Sequence, residues 1–595
     1  MRALGLLLAL AVGGCEGRAV TTPVRVASLP SCPDSTVAEG GQCLGPLVAY
    51  AAPGARTFVV DGASPRADDA GPGTADRPWR TIGRAARRGA LAPGDAVVIR
   101  EGTYRESVRP SVGGTGPDAR VTYAAWPGER VVVTGADPLS DGWRQTAAGA
   151  WRHVWEGDPL PASGGLPFRR ELVVAGGAVL RPVDSRQALR PGTVWVEGPP
   201  DAPLALVARF PDDARPAEVG LVEVGRRSSL FRPTGEDAHP ECGDPGTPGW
   251  LRVVGLTFRH AANRAQRGAL CAGREGALVE DVTVEWTASR GIDVSGTGHR
   301  FVRVRADHNG QLGWGGACVG CTITDGAAIG NNWQGHDPFW EAGGAKWVRT
   351  RDTVVRRFLA VDNEGPGIWL DADNADNTIE GSLVVGNAVA GIMLELRTVR
   401  TLVQHNVVAA TRWRSWSGTG ILSQAASDNV LLHNTVVANE GAGVWLRRDP
   451  ERRALDARTT LVDNWIVGNV QRAREAREVQ IEGETVALAR SHRLDGNVYG
   501  RVGGDRTWTS TFFLHPTPAG SYRGNDLGAW RRWTGQDAGS RLVGTDGDPV
   551  PASGAAVRQG GAARAPAVRG RLVGAERRRV RDAGEWRTTL ETLSP

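Results

Sequence analysis

Two carboxylates, Asp371 and Glu395, hold the same place in two copies of one short frame, and they are the first chemical signal in the chain. The frame reads Asn-x-x-x-Gly-(Ile/Val)-(Trp/Met)-Leu-x. It runs from Asn363 to Asp371, from Asn387 to Glu395 and from Asn439 to Arg447, with a looser copy at Gly420 to Ser423. Its first two glycines, Gly367 and Gly391, are 24 residues apart, a period that reads as a solenoid with one frame per coil. Side chains alternate along an extended strand. Ile368 and Leu370 therefore turn to an interior, while Trp369 and Asp371 face outward, as do Met393 and Glu395, and Trp445 and Arg447. Strands stacked about 4.8 Å apart would set the two carboxyl groups about 5 to 6 Å from each other. Carboxyls that close do not ionise independently, so one serves as acid and the other as base or nucleophile. The spacing is near the about 5 to 5.5 Å of retaining glycoside hydrolysis. Trp369 would supply the flat apolar face on which a sugar ring stacks.

Lys346 is the one lysine among 70 basic residues and precedes Asp371 by 25 residues, about one coil, so it is expected outward and beside the same groove. Asp371-x-Asp373-x-x-Asp376 does not follow a calcium-hand loop, because the later acidic and glycine positions are missing. Acidic residues at a solenoid turn more often satisfy backbone, and no resident metal is expected. His336-Asp337 reads as a solvated turn. The repeated Asn363, Asn387 and Asn439 are expected to be structural, bonding to the coils on either side.

The elements that must position these groups follow in chain order. Met1-Arg2 and the apolar run Ala3 to Val12 form a signal too short to span a bilayer permanently. With Gly13-Gly14-Cys15 it resembles the bacterial lipoprotein signal, which implies cleavage before Cys15 and lipid on its sulfur. Six cysteines then remain, and proximity pairs Cys32 with Cys43, Cys242 with Cys271, and Cys318 with Cys321, as an oxidising compartment allows. Residues 16–55 read as a tether. Residues 56–135 open with the strand Thr57 to Val60 and a short helix capped by Thr81, followed by the strands Ala96 to Ile99 and Val131 to Thr134. Residues 136–248 lose the repeat and become hairpin-like, with Gly176-Gly177 as a turn and Thr193 to Glu197 pairing with Leu204 to Arg209. This is a β-rich insertion. Short apolar strands resume across residues 249–540, and residues 541–595 form a terminal cap and an Ala-, Arg-, Gly- and Pro-rich tail.

Residues 57–135 resemble the opening coils of right-handed parallel β-helix proteins, including polysaccharide lyases and glycosidases, in which a helix covers the exposed first coil. The implied fold class is all-β, a right-handed parallel β-helix with an N-terminal helical cap and a β-rich insertion. A formal charge of +5 over 595 residues, with no basic run interleaved with aromatics, argues against nucleic-acid binding.

Ile368-Trp-Leu-Asp371, followed one coil later by Met393-Leu-Glu395, is similar to the β-xylosidase-type β-helix glycoside hydrolases. The resemblance implies Asp371 as nucleophile and Glu395 as acid/base, with Lys346, Trp369, Asp373 and Arg447 as substrate-binding candidates. The chain departs from that family at Ala372 and at Leu396-Arg397-Thr398. A second reading follows the β-helix polysaccharide lyases: Lys346 would take the proton alpha to a uronate carboxyl, with calcium held near Glu341, Asp371 or Asp373. A third is a non-catalytic carbohydrate-binding or structural lipoprotein. All three place an exported protein against an oligo- or polysaccharide, touch membrane only through the lipid anchor, and need no cofactor apart from calcium in the lyase case.

Overall fold

The structure, a computed structural model, describes residues 50–139, 141–146, 149–156, 171–199, 202–234, 241–449, 456–471, 475–476, 478–483, 490–500, 512–516 and 522–543. The signal segment with Cys15, the pair Cys32 and Cys43, and the tail lie outside the described residues. By their contacts the described residues form two compact units, one drawn from residues up to 316 together with 330–337, the other from 317–329 and 338 onward. Each is built of parallel β-helix coils, and the chain is a right-handed parallel β-helix.

In the first unit Thr57–Val60, Ala96–Ile99, Val121–Ala125, Leu251–Val254, Leu278–Glu280 and Arg300–Val302 pair in parallel, strand on strand. A second sheet follows the same order from Gly102–Tyr104 to Arg305–Asp307. The helix Ile82–Ala86 buries Ile82, Ala85 and Ala86, and the Thr81 hydroxyl accepts from the Arg84 amide at its start, supplying one partner that a helix end otherwise lacks. The described residues between 136 and 225 leave the repeat for two sheets of mainly antiparallel pairing, including the Ala175–Ala178 hairpin and the Thr193–Glu197 with Ala205–Arg209 pair. Disulfides join Cys242 to Cys271 in this unit and Cys318 to Cys321 in the other.

The second unit carries the site on one of its three parallel sheets. Its strands include β1 (Gly343–Trp347), β2 (Ile368–Leu370), β3 (Val389–Glu395), β4 (Gly418–Gln424), β5 (Val444–Arg447) and β6 (Val479–Gly483), and the sheet continues into Phe512–Pro516. Each pairs in register with the next: Lys346 with Trp369, Trp369 with Met393, Glu395 with Gln424, and Gln424 with Arg447. Ile368, Leu370, Ile392, Leu394 and Ile421 are at most 1% exposed.

Buried amides set that register. The Asn363 backbone and side-chain N–H groups donate to Asn387 Oδ1 at 3.2 and 2.7 Å, and Asn387 donates to the Ala360 carbonyl at 2.9 Å. Asn406, Asn434, Asn464 and Asn497 form a second such row. An asparagine can both donate and accept, so an identical residue on every coil satisfies turn groups that would otherwise be buried without partners. The glycine of each frame follows from the same approach. A Cβ on Gly367 would lie 2.7 Å from Asn387 Nδ2, and one on Gly420 2.4 Å from Val436 Cγ1.

Replacing Asn434 by Ala should therefore strand the Asn406 amide and the Val403 carbonyl that it now serves. The expected loss is about 2 kcal/mol or more in denaturant unfolding, and an unchanged midpoint would contradict a register-setting role. A second consequence is pH-dependent. Asp456 is 1% exposed, and burial pushes its carboxyl well above the usual carboxylate range even though Ser423 and Thr459 donate to it. The folded state then holds a proton that the unfolded chain releases near its ordinary pKa. Asp456 accordingly contributes stability at acid pH that is lost as pH rises from about 4. Asp456→Asn should flatten that part of the stability profile.

Candidate functional site

The outward row of the site sheet is covered, not open. Trp369, Met393 and Leu422 form an apolar cluster with Ala388, Val389 and Ala390, and Phe339, Trp416 and Trp445 pack onto it. Phe339 comes from the excursion before β1 and Trp416 from the one before β4, where they stack at 4.9 Å and 26°. Trp416 meets Trp445 edge-on at 5.7 Å. Strand alternation thus holds, since Trp369 lies opposite the aliphatic interior, but the indole is only 2% exposed. The expectation of Trp369 as an open face for sugar stacking is corrected accordingly: segments from outside the frame cover it.

Lys346 lies in register beside Trp369. Its ammonium stands 3.0 Å from Asp371 Oδ2 and 3.5 Å from Glu341 Oε1, and it donates to the Trp340 carbonyl. It also sits 4.0 Å from the centroid of the Trp369 ring, in cation–π contact. On its other edge the same indole donates from Nε1 to Glu395 Oε2 at 3.0 Å. One tryptophan therefore carries the cation that pairs with Asp371 on its face and the carboxylate Glu395 at its N–H.

Asp371 and Glu395 occupy neighbouring places of the sheet, each one residue beyond the in-register pair Leu370 and Leu394, on strands about 4.8 Å apart. Glu395 Oε1 accepts from Gln424 Nε2 at 3.1 Å, and Gln424 Oε1 accepts from Arg447 at 2.9 Å. Because a guanidinium can only donate, Arg447 fixes which end of the Gln424 amide faces it and so aims the amide N–H at Glu395. Arg447 lies over Trp416 at 4.5 Å and Trp445 at 5.0 Å, with Glu482 at 3.6 Å. The last place of the frame thus forms one row, Asp371, Glu395, Gln424 and Arg447. Gln424 escaped the sequence reading because its copy was counted only to Ser423. Counting one place further would have found it.

Asp373 does not join the row. It sits at a coil corner with φ 61°, and Arg397 on the next coil donates to it at 2.6 and 3.0 Å. These hydrogen bonds hold its carboxyl below the usual carboxylate range. Asp373 instead forms a corner ion pair of the kind repeated at Asp376–Arg400 and Asp428–Arg458. Among the described residues no group of three or more His, Cys, Asp or Glu is arranged to hold a metal ion. His336 is buried, which lowers its pKa to about 4, so it is not the solvated turn expected from its neighbours.

A family model described as a right-handed β-helix region matches residues 267–446. The structure of XylC in complex with xylose aligns over 82% of this chain and 86% of its own, at 15% identity and a TM-score of 0.55. The two share a fold. The A-module of Azotobacter vinelandii mannuronan C-5 epimerase AlgE6 aligns over 71% of this chain and 91% of its own, at 15% identity and a TM-score of 0.38. A glycoside hydrolase aligns over 81% and 99%, at 13% identity and a TM-score of 0.37. No curated protein sequence matches the chain.

Lys346 is 5% exposed and is the counter-ion of two carboxylates at once. Lys346→Met should remove the cation that Asp371 and Glu341 share, at a cost of about 3 kcal/mol in unfolding free energy. A denaturant midpoint equal to wild type would show the pairing to be incidental.

Proposed function

We propose that this protein is a retaining glycoside hydrolase acting on a neutral glycan, with Asp371 as nucleophile and Glu395 as acid/base. The observation that carries the reading is the pair of carboxylates at neighbouring places of one sheet, each held by a different partner: Asp371 by Lys346, and Glu395 by Trp369 and Gln424. Two oxygen groups doing different work need different surroundings, and here one faces an ammonium while the other meets neutral N–H donors. In the first step an Asp371 oxygen forms a bond to the anomeric carbon as the glycosidic bond breaks, and Glu395 gives its proton to the departing oxygen. In the second, Glu395 takes a proton from water, whose oxygen displaces Asp371 from the same carbon.

Charge supports a neutral substrate. Lys346 is engaged by Glu341 and Asp371, and Arg447 by Glu482, so these two cations of the contact network are already paired with carboxylates. A uronate carboxylate entering it would meet repulsion. The lyase reading is weaker for a further reason: the Lys346 donors are directed at Asp371, Glu341 and the Trp340 carbonyl, which leaves no lone pair aimed outward to take a proton. XylC, whose fold the chain shares, was solved with xylose, so xylosides belong first in a substrate panel. The disulfides Cys242–Cys271 and Cys318–Cys321 suit an oxidising compartment outside the cytoplasm, and Cys15 remains the proposed point of lipid attachment.

Asp371→Asn should lower kcat on any hydrolysed glycoside by about a thousandfold or more. Glu395→Gln should cost about a hundredfold in kcat/KM on alkyl leaving groups and far less in kcat/KM on activated aryl ones, whose departure needs no proton. Hydrolysis that survives both substitutions would defeat the assignment. Release of an unsaturated uronate product would instead point to lysis.

A further inference from the structure

Covering Trp369 leaves the site without the aromatic surface that the sequence assigned to it, and a different tryptophan stands nearby. Trp340 is 52% exposed, an unusual degree for so large an apolar ring, and among the described residues it is the only aromatic of the large hydrophobic residues that stand open to solvent. It lies in the excursion before β1, and its neighbours tie that excursion to the carboxylates. Its own carbonyl accepts from Lys346. Glu341, the next residue, is 3.5 Å from the same ammonium. Phe339, the residue before, stacks on Trp416, against which Arg447 rests. The backbone on both sides of Trp340 is therefore pinned to the site, while its indole stays outside the cluster formed by Phe339, Trp416 and Trp445.

We infer that Trp340 is the platform on which a sugar ring of the neutral glycan stacks, next to the Asp371–Glu395 pair. The inference rests on the proposed hydrolase reading for its substrate class, but not for its geometry. The C–H face of a sugar ring is apolar and its rim is polar. An exposed indole on a residue whose own carbonyl and next side chain contact Lys346, the partner of Asp371, offers an apolar surface in the same excursion that carries polar groups. The carboxylates that already engage Lys346 and Arg447 disfavour a uronate here as well, so the ring that stacks is an uncharged one.

The test uses the full-length protein. Trp340→Ala should raise KM for a hydrolysed neutral oligosaccharide about tenfold or more while leaving kcat within about twofold, and Trp340→Phe should restore most of the difference. The unfolding midpoint should not move, because the ring leaves from solvent. In parallel, the Asp371→Asn, Glu395→Gln double variant, with and without Trp340→Ala, is run in native gels containing neutral polysaccharides and, separately, polygalacturonate. Retardation by a neutral polymer that disappears with Trp340 supports the platform. It does so even if no hydrolysis is ever detected, in which case the hydrolase reading alone fails. Hydrolysis that depends on Asp371 and Glu395 but has the same KM in Trp340→Ala overturns the platform and leaves the hydrolase standing. Retardation by neutral polymers that persists without Trp340, or a Trp340-dependent preference for polygalacturonate, also overturns it.

Discussion

The parallel register between successive coils is the constraint on which the site depends. Residues 24 apart in the chain become neighbours only because each coil stacks on the next without slipping, and buried amides prevent the slip. Asn363 on Asn387, and Asn434 on Asn464, place a donor against an acceptor at one repeat of the chain and at no other. A shift of one residue would orphan buried N–H groups along a whole row, and it would also turn Ile368 and Leu370 out of the interior. The frame's glycines answer the same requirement, because a side chain at Gly367 would collide with the amide of the next coil. Structural and chemical positions are therefore interleaved in one short segment.

On that scaffold a single side chain couples the two carboxylates. Trp369 offers its ring face to Lys346 and its N–H to Glu395, so Asp371 and Glu395 are held through opposite aspects of one indole. A buried cation between two carboxylates is costly to desolvate unless its donors are met, and Asp371, Glu341 and the Trp340 carbonyl meet them. From the other direction Arg447 orients Gln424, which completes the support of Glu395. The result is a preorganised row whose members are held before any ligand arrives, the condition under which electrostatic groups act without having to reorganise.

Much of this was legible in the chain. The 24-residue spacing, the alternation of aliphatic and functional residues, and the shared last place of the frame identify Asp371, Glu395 and Arg447 as one row. The lone lysine falls one coil earlier in register with Trp369. The hairpins of the insertion follow from their glycine and proline turns, and the two disulfides among the described residues join cysteines that are near in sequence. Gln424 was readable by the same rule carried one residue further.

What sequence determined by itself is the periodic part: interior against exterior, coil against coil, and the line along which the chemistry is set out. These follow from strand alternation and a recurring frame, which are local and countable. What tertiary structure alone decided is which outward residues remain open. Phe339 and Trp416 come from excursions that obey no period, and they bury Trp369 while leaving Trp340 in solvent. Asp373, two residues from Asp371, is drawn away by Arg397 from a neighbouring corner. Exposure depends on what folds back over a surface, and a chain segment without a repeat carries no spacing from which that return can be read.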